Sequence, residues 1–200
     1  MSKKEELKSV IHSVPNAVKY LQEHASPEIF IAEMDKDSTA YILYDIDKTK
    51  KICKIAGVEM VLNKEKTFLI INSSNIVFIP IDGKNGLLGG VSNCDFVFFN
   101  DQNFCFVEMK LNAVLATSQT LLQQERAIRR NRKKAVEQLK CTINYFDTEF
   151  SKDYKGLKLE AYIATPDIYP RENTAFQSIK IQFLKEVHIK LFEGREKKYN

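Results

Sequence analysis

Short apolar runs, rich in β-branched and aromatic residues, alternate with polar turn clusters over the first half of the chain. This pattern predicts four strands, which cover residues 29–34, 39–46, 67–72 and 76–82. The first 24 residues instead predict one helix or two short ones, interrupted near Pro15. A glycine-rich loop, residues 82–93, follows the strands. It matches no phosphate-binding motif, so we interpret it as a flexible connection rather than a nucleotide cradle.

The second half of the chain predicts a hairpin, a long helix and further strands. Two apolar runs around the polar turn 100–103 predict the hairpin, and residues 158–166 predict a buried strand. A helix from about Ser118 to Phe146 is predicted by an apolar stripe at helical spacing, with Arg132 in its gap: Ile128, Ala135, Leu139, Ile143 and Phe146. Residues 178–192 alternate, which predicts a terminal strand or hairpin. Together these elements indicate a mixed α/β domain.

Composition restricts the class of protein. A chain of 200 residues can bury a hydrophobic core without disulfide or metal cross-links. Its 44% hydrophobic and 28% charged residues argue against disorder. The first ten residues are charged rather than signal-like, and no apolar run approaches the roughly 18 residues of a membrane span. We therefore expect a soluble, cytoplasmic protein with no membrane partner. The cysteines lack metal-ligand spacing, which predicts reduced structural thiols and no zinc site: Cys53, Cys94, Cys105 and Cys141.

The net charge of +4 is concentrated in one segment. Residues 119–140 carry seven positive and two negative side chains, a net charge of +5, so the rest of the chain sums to −1. A local basic patch of this kind is typical of a surface that binds a polyanion, and a solvated helix face is the alternative. The candidate nucleic-acid contacts, expected to touch phosphates rather than bases, are Arg126, Arg129, Arg130, Arg132, Lys133 and Lys134.

Three charged residues lie within the apolar hairpin. A tight turn at residues 101–102 places Asp95 opposite Glu108, and strand alternation puts both on one face with Lys110. Like charges across a ladder repel, but a divalent cation between them would remove the repulsion. A lysine beside that cation could hold an attacking water. The alternative is a salt bridge from Lys110 to one acid, which leaves the second acid unbalanced.

Asp95, a gap of twelve residues, and Glu108-Met109-Lys110 at the end of an apolar strand resemble the motif of the PD-(D/E)XK nuclease superfamily. That superfamily includes restriction, recombination and DNA-repair nucleases. The resemblance covers roughly residues 76–166 and implies a restriction-endonuclease-like core. Such a core has the order αβββαβ, a mixed central sheet flanked by helices, here with extra β-strands at both ends. Residues 1–200 would then form one domain, with its core at about 66–166, an N-terminal helix and β extension (1–65) and a C-terminal β extension (167–200).

The resemblance also implies roles for individual residues. Asp95 and Glu108 would bind Mg2+, or Mn2+ as a substitute, together with the backbone carbonyl of Met109. Lys110 would position the attacking water, and Gln138 would assist from the following helix. Tyr145 is a weaker candidate on that helix, and Glu23 is a candidate for the acid that some members add from the first helix. Cys94 stands where the motif's proline would be, which is a departure from the pattern.

The implied activity is that of a metal-dependent endonuclease, a hydrolase acting on phosphodiester bonds. DNA is favoured over RNA only through the resemblance. The alternative is a non-catalytic nucleic-acid-binding or assembly subunit of a larger defence or repair complex with the same fold. Either protein could work as a homodimer or with a partner subunit. A small-molecule enzyme has little support, because the sequence shows neither a nucleophile constellation nor a cofactor loop.

Overall fold

The computed structural model describes most of the chain in twelve stretches. These are residues 1–13, 17–34, 38–47, 52–55, 58–61, 63–71, 75–88, 92–112, 120–150, 154, 156–170 and 174–199. The predicted interruption at Pro15, the predicted helix start at Ser118 and residues 89–91 of the glycine-rich loop lie outside them.

Three α-helices occur in the described residues: α1 (Lys3–Ser13), α2 (Leu121–Glu149) and α3 (Thr174–Val187). Short 3-10 helices cover Ala17–Tyr20 and Lys64–Lys66. None of the helices in this part of the chain is long and apolar enough to cross a membrane.

The strands, numbered in chain order, form two six-stranded sheets. The main sheet contains, in spatial order, β1 (Gln22–His24), β7 (Ile76–Pro80), β8 (Phe96–Phe99), β9 (Asn103–Met109), β10 (Lys158–Ala164) and β11 (Lys190–Glu193). The second sheet contains β12 (Glu196–Lys198), β6 (Phe68–Ile71), β2 (Glu28–Met34), β3 (Thr39–Asp47), β4 (Ile52–Ile55) and β5 (Val58–Val61).

The main sheet is mixed, which explains where the helices lie. Strands β1, β7, β8 and β9 pair antiparallel, whereas β9, β10 and β11 pair parallel. Parallel neighbours need crossover connections, and α2 and α3 supply them. Both helices join the core on one face of the sheet, and the second sheet covers the other face. Both faces are therefore buried, as the nearly continuous apolar sequences of β7, β8 and β9 require.

The predicted long helix is confirmed as α2. Its N-terminus is a capping box, in which Thr120 Oγ1 accepts from the Gln123 N–H at 3.3 Å and the Thr120 N–H donates to Gln123 Oε1 at 2.8 Å. In the described residues the helix begins at Leu121. All five residues of the predicted apolar stripe are buried. Four of them join the core against the main sheet and so fix which side of the helix points toward the hairpin: Ala135, Leu139, Ile143 and Phe146.

The prediction of a terminal strand or hairpin over residues 178–192 is wrong for most of its length, because α3 occupies that segment up to Val187. Its apolar positions Phe176, Ile179, Phe183 and Val187 recur at steps of three and four and pack on the core. Ile181, which completed the apparent alternation, is 55% exposed. The C-terminal extension is therefore a helix followed by two short strands.

Other predicted boundaries also differ from the structure. The first 24 residues contain the short strand β1 in addition to helix α1. Strands β4 and β5 were not predicted. The limits of 66 and 166 do not separate core from extensions: β6 belongs to the second sheet, whereas β1 and β11 belong to the main one. Side chains of β2, β3 and β6 pack on one face of the main sheet.

Residues 82–88 of the glycine-rich loop form a hydrogen-bonded turn that packs on β3. The Asn85 N–H donates to Thr39 Oγ1 at 3.1 Å, and the Leu87 N–H donates to the Pro80 carbonyl at 2.8 Å. Gly83 has a φ of +87°, and a Cβ there would lie 2.4 Å from the Ser38 carbonyl oxygen. Glycine at this position allows the loop to lie against the second sheet.

Candidate active site

The hairpin has the predicted register. Phe99 pairs with Phe104 and Phe96 with Val107, where the paired register ends, and beyond it the Asp95 N–H donates to the Val107 carbonyl at 3.1 Å. Asn100 fixes the turn, because its Oδ1 accepts from the backbone N–H groups of residues 102 and 103 at 2.9 and 2.8 Å. The predicted faces are also confirmed. Alternate hairpin residues enter the helix-side core or the core shared with the second sheet.

The two acids and the lysine lie at the same end of the hairpin, and the charges of Asp95 and Lys110 both act on Glu108. Asp95 is 5% exposed and Glu108 is 1% exposed. Asp95 Oδ2 accepts a hydrogen bond from the Met109 N–H, and Glu108 Oε1 forms an ion pair with Lys110 Nζ. The second oxygen of Glu108, Oε2, is buried and has no hydrogen-bond partner. An unpaired buried carboxylate oxygen is costly unless something else binds it.

Gln138 joins helix α2 to this cluster. Its Oε1 accepts from Lys110 Nζ at 3.1 Å, and its Nε2 donates to the Asn93 carbonyl at 3.0 Å. One turn later, Thr142 Oγ1 accepts from the Cys94 N–H at 2.8 Å. These bonds hold the segment before β8 against the helix. The sequence predicted Gln138 but not Asn93 or Thr142, because a backbone carbonyl and a helix hydroxyl carry no motif.

Burial sets the electrostatics of the site. It raises the pKa of Asp95 to about 7, against the lowering effect of the hydrogen bond from Met109, and the charges of Glu33 and Asp82 raise it further. Burial also raises the pKa of Glu108 well above its usual range, and the charge of Asp95 adds to this effect while Lys110 opposes it. Both carboxyl groups are therefore costly to ionise without a further cation.

Asp82, at the start of the glycine-rich loop, is a neighbour that the sequence analysis did not identify. The structure brings it to the site: the Asp82 N–H donates to the Asp95 carbonyl at 3.3 Å, and its charge raises the pKa values of both Asp95 and Glu108. Only the pairing of β7 with β8, a long-range contact, reveals this proximity.

The donor set fits Mg2+ better than a transition metal. The described residues contain no group of three or more His, Cys, Asp or Glu side chains that could hold a metal ion. Magnesium usually takes one or two protein carboxylates and completes its shell with waters and phosphate oxygens. Asp95 and the unpaired Oε2 of Glu108 provide such a pair. The Met109 side chain is buried in the opposite core, so only its backbone could contribute.

The predicted nucleic-acid contacts divide into two groups. Arg126, Arg129, Arg130, Lys133 and Lys134 are exposed on α2. Arg132 is 2% exposed, and its guanidinium binds both oxygens of Glu193 at 2.9 Å and the Pro170 carbonyl at 2.6 Å. We therefore remove Arg132 from the predicted contacts, because its donors are engaged inside the protein.

The basic half of α2 continues past the site. Phe146 packs on Phe104 and Phe106 with ring centroids 5.4 and 5.6 Å apart, and Gln138 contacts Lys110 just beyond the end of β9. The helix therefore runs antiparallel to β9, and earlier residues extend beyond that edge of the sheet. Lys134 and Arg130 precede Gln138 at four-residue steps, about 6 and 12 Å along the helix axis.

The weaker candidates lie away from this cluster. Tyr145 packs against Phe150, two turns from Gln138 toward the C-terminal end of α2. Glu23 lies on β1 rather than on the first helix, and it pairs with Lys8. Cys94 is buried next to Asp95, and burial raises the pKa of its thiol well above the usual range. Cys94 therefore acts as a core side chain.

Comparisons with protein-family models, with curated proteins and with solved structures gave no significant match. The functional argument therefore rests on the geometry of the site.

Proposed function

We propose that this protein is a metal-dependent nuclease that hydrolyses phosphodiester bonds, more readily in DNA than in RNA. The observation that carries the proposal is the buried, unpaired Oε2 of Glu108, next to a second buried acid and a lysine. A purely structural salt bridge accounts for Lys110 and one oxygen of Glu108. It does not account for Asp95 or for the unpaired oxygen.

The order of elements supports a restriction-endonuclease-like core. Helix α1, the meander β7–β8–β9, helix α2 and strand β10 follow one another as αβββαβ, with the edge strand β1 and the strands β2 to β6 between α1 and β7. In this arrangement Asp95 immediately precedes β8, and Glu108 and Lys110 lie at the end of β9. This order and placement, together with the motif, are the basis of the resemblance.

Each residue of the cluster has a chemical role in this proposal. Asp95 and Glu108, with the Met109 carbonyl, would hold Mg2+ or Mn2+, which supplies a water of lowered pKa and a counter-charge for the phosphate. Lys110 holds the attacking water and stabilises the negative charge that develops on the phosphate oxygens. Gln138 orients the lysine, because its amide is fixed on the other side by the Asn93 carbonyl.

The nucleic acid would approach along α2. Lys134 and Arg130 lie one and two turns from Gln138, on the part of the helix that extends beyond the site, and both are exposed. Contacts from these side chains to phosphates would bring the strand to the acids without reading sequence. A homodimer or partner subunit could supply target choice.

A non-catalytic binding or assembly subunit is the second candidate. The ion pair between Lys110 and Glu108, together with the hydrogen bond to Gln138, favours it. These contacts could simply stabilise the fold of a protein that binds nucleic acid through α2 without cleaving it.

The test is cleavage of plasmid and single-stranded DNA in Mg2+, Mn2+ or EDTA by the wild type and four variants. Glu108→Gln and Lys110→Ala should each reduce the rate at least about 100-fold. The matched controls are Glu196→Gln and Lys198→Ala, which change the exposed Glu-x-Lys of β12. If the protein binds DNA, and neither the metal nor any of the substitutions alters cleavage, the protein is a binding subunit.

A further inference from the structure

A groove with an apolar floor lies between α2 and α3. Its volume is about 510 Å³, and its apolar lining includes Leu122, Ile128, Phe176 and Ile179. Leu122 is 55% exposed, and its neighbour Leu121 is 80% exposed. Large apolar side chains that stay exposed next to a groove are typical of a site for another molecule.

The groove faces away from the candidate active site. Arg129, which lines it, precedes Gln138 by nine residues, and nine residues turn an α-helix through about two and a half turns. The two side chains therefore leave α2 on opposite sides. Helix α2 thus presents two separate surfaces.

The charge around the groove is positive. Arg126 and Arg129 lie on its rim with Glu125, and Arg130, Lys133 and Lys134 follow on the next turns. The buried Arg132 at the floor is neutralised by Glu193. A complementary occupant must therefore carry apolar side chains for the floor and negative charge for the rim.

We propose that this groove binds an acidic amphipathic helix of a partner protein. A helix that presents apolar residues at i, i+3, i+4 and i+7 would fill the floor, and glutamates beside them would meet Arg126 and Arg129. A second copy of this chain is disfavoured, because a symmetric contact would place the two basic rims against each other. Nucleic acid is disfavoured as well, because a phosphate backbone has no apolar side chains to cover the floor of the groove.

The probe is a synthetic helical peptide with leucines on one face and glutamates beside them, titrated into the full-length protein by fluorescence anisotropy. We expect micromolar affinity, about tenfold weaker for the peptide with glutamine in place of glutamate. Leu122→Asp, and Arg126→Glu combined with Arg129→Glu, should each weaken binding at least about tenfold. Leu184→Asp, on α3 but not among the groove residues, should change affinity less than about twofold.

Three results would overturn the proposal: no binding of the glutamate peptide, equal binding by the Leu122→Asp variant, or complete displacement of the peptide by a short DNA duplex. The Leu122→Asp variant should keep the wild-type rate of metal-dependent DNA cleavage, because Leu122 touches none of the residues assigned to that activity. Failure of the groove proposal is thereby distinguishable from failure of the nuclease proposal.

Discussion

The Nζ atom of Lys110 lies 3.1 Å from Oε1 of Gln138, a residue 28 positions later in the chain. This contact connects the end of β9 to the middle of α2. It also fixes the lysine beside Glu108, with which it forms an ion pair. The position of the lysine thus depends on how the helix packs on the hairpin and not on the hairpin alone.

The first prediction follows from this contact. Gln138→Leu removes the acceptor for Lys110 and the donor for the Asn93 carbonyl, so the lysine loses its orientation. We expect DNA cleavage to fall about 10- to 100-fold with little change in substrate affinity. Single-turnover rates over a range of DNA concentrations measure both quantities. Asn144→Leu on the exposed side of the same helix is the control, and equal rates for the two variants would refute an orienting role.

A second prediction concerns pH. The pKa of Asp95 is about 7 in the folded metal-free protein, against an ordinary value of 3.8. Between these values the folded state binds more protons than the unfolded state, so the free energy of unfolding should fall as pH rises from about 4 to 7. Urea unfolding in EDTA at several pH values measures this slope. Asp95→Asn should reduce the slope, and an unchanged slope would contradict the burial of Asp95.

The third prediction separates Arg132 from the exposed cations. Arg132→Ala would leave Glu193 buried without its partner, which typically costs about 3–5 kcal/mol in the free energy of unfolding. Arg130→Ala should change that free energy by no more than about 0.5 kcal/mol and should weaken DNA binding instead. Chemical denaturation and DNA titration distinguish the two effects. If the Arg132→Ala variant were fully stable and defective only in DNA binding, the original prediction of a nucleic-acid contact would be restored.

The fourth prediction concerns another buried acid, Glu160 on β10. Burial alone would raise the pKa of Glu160, but hydrogen bonds from Lys158, Lys197 and Tyr162 lower it overall. Lys197 on β12 is itself buried, so this acid connects the C-terminal strand to the main sheet. Glu160→Ala should destabilise the fold by about 3–5 kcal/mol.

Lys158 supplies the matched control for that prediction. Its side chain is 67% exposed although it lies 2.7 Å from Glu160, so Lys158→Ala should cost no more than about 1 kcal/mol. Thermal unfolding of the two variants gives the comparison. Similar losses for both would mean that the buried pair with Lys197 is not the main contact of Glu160.

The parts of the fold that local patterns determine were predictable. The register of the hairpin follows from its turn and from the strict alternation of its side chains between the two faces. The apolar stripe on α2 fits only a helical periodicity. Helix α3 was missed because Ile179, Ile181 and Phe183 fit an alternating pattern while Phe176, Ile179 and Phe183 fit a helical one. Only packing against the core decides between the two.

The site was predictable only where its residues lie close together in sequence. Asp95, Glu108 and Lys110 belong to one hairpin, so turn geometry brings them together. Asp82 and Asn93 reach the site through strand pairing and helix docking, which local sequence does not encode. For Arg132, local sequence suggested a contact that the structure does not support. Its charge suggested exposure, whereas an ion pair with Glu193, from a distant strand, allows Arg132 to be buried.

The most direct test of the account is the cleavage of supercoiled plasmid DNA by purified wild-type protein in Mg2+, with EDTA and the Glu108→Gln variant as controls. The account predicts nicked or linear product with Mg2+, none with EDTA, and a rate at least about 100-fold lower for the variant. The absence of cleavage in Mg2+ and in Mn2+, or equal cleavage by the variant, would contradict it.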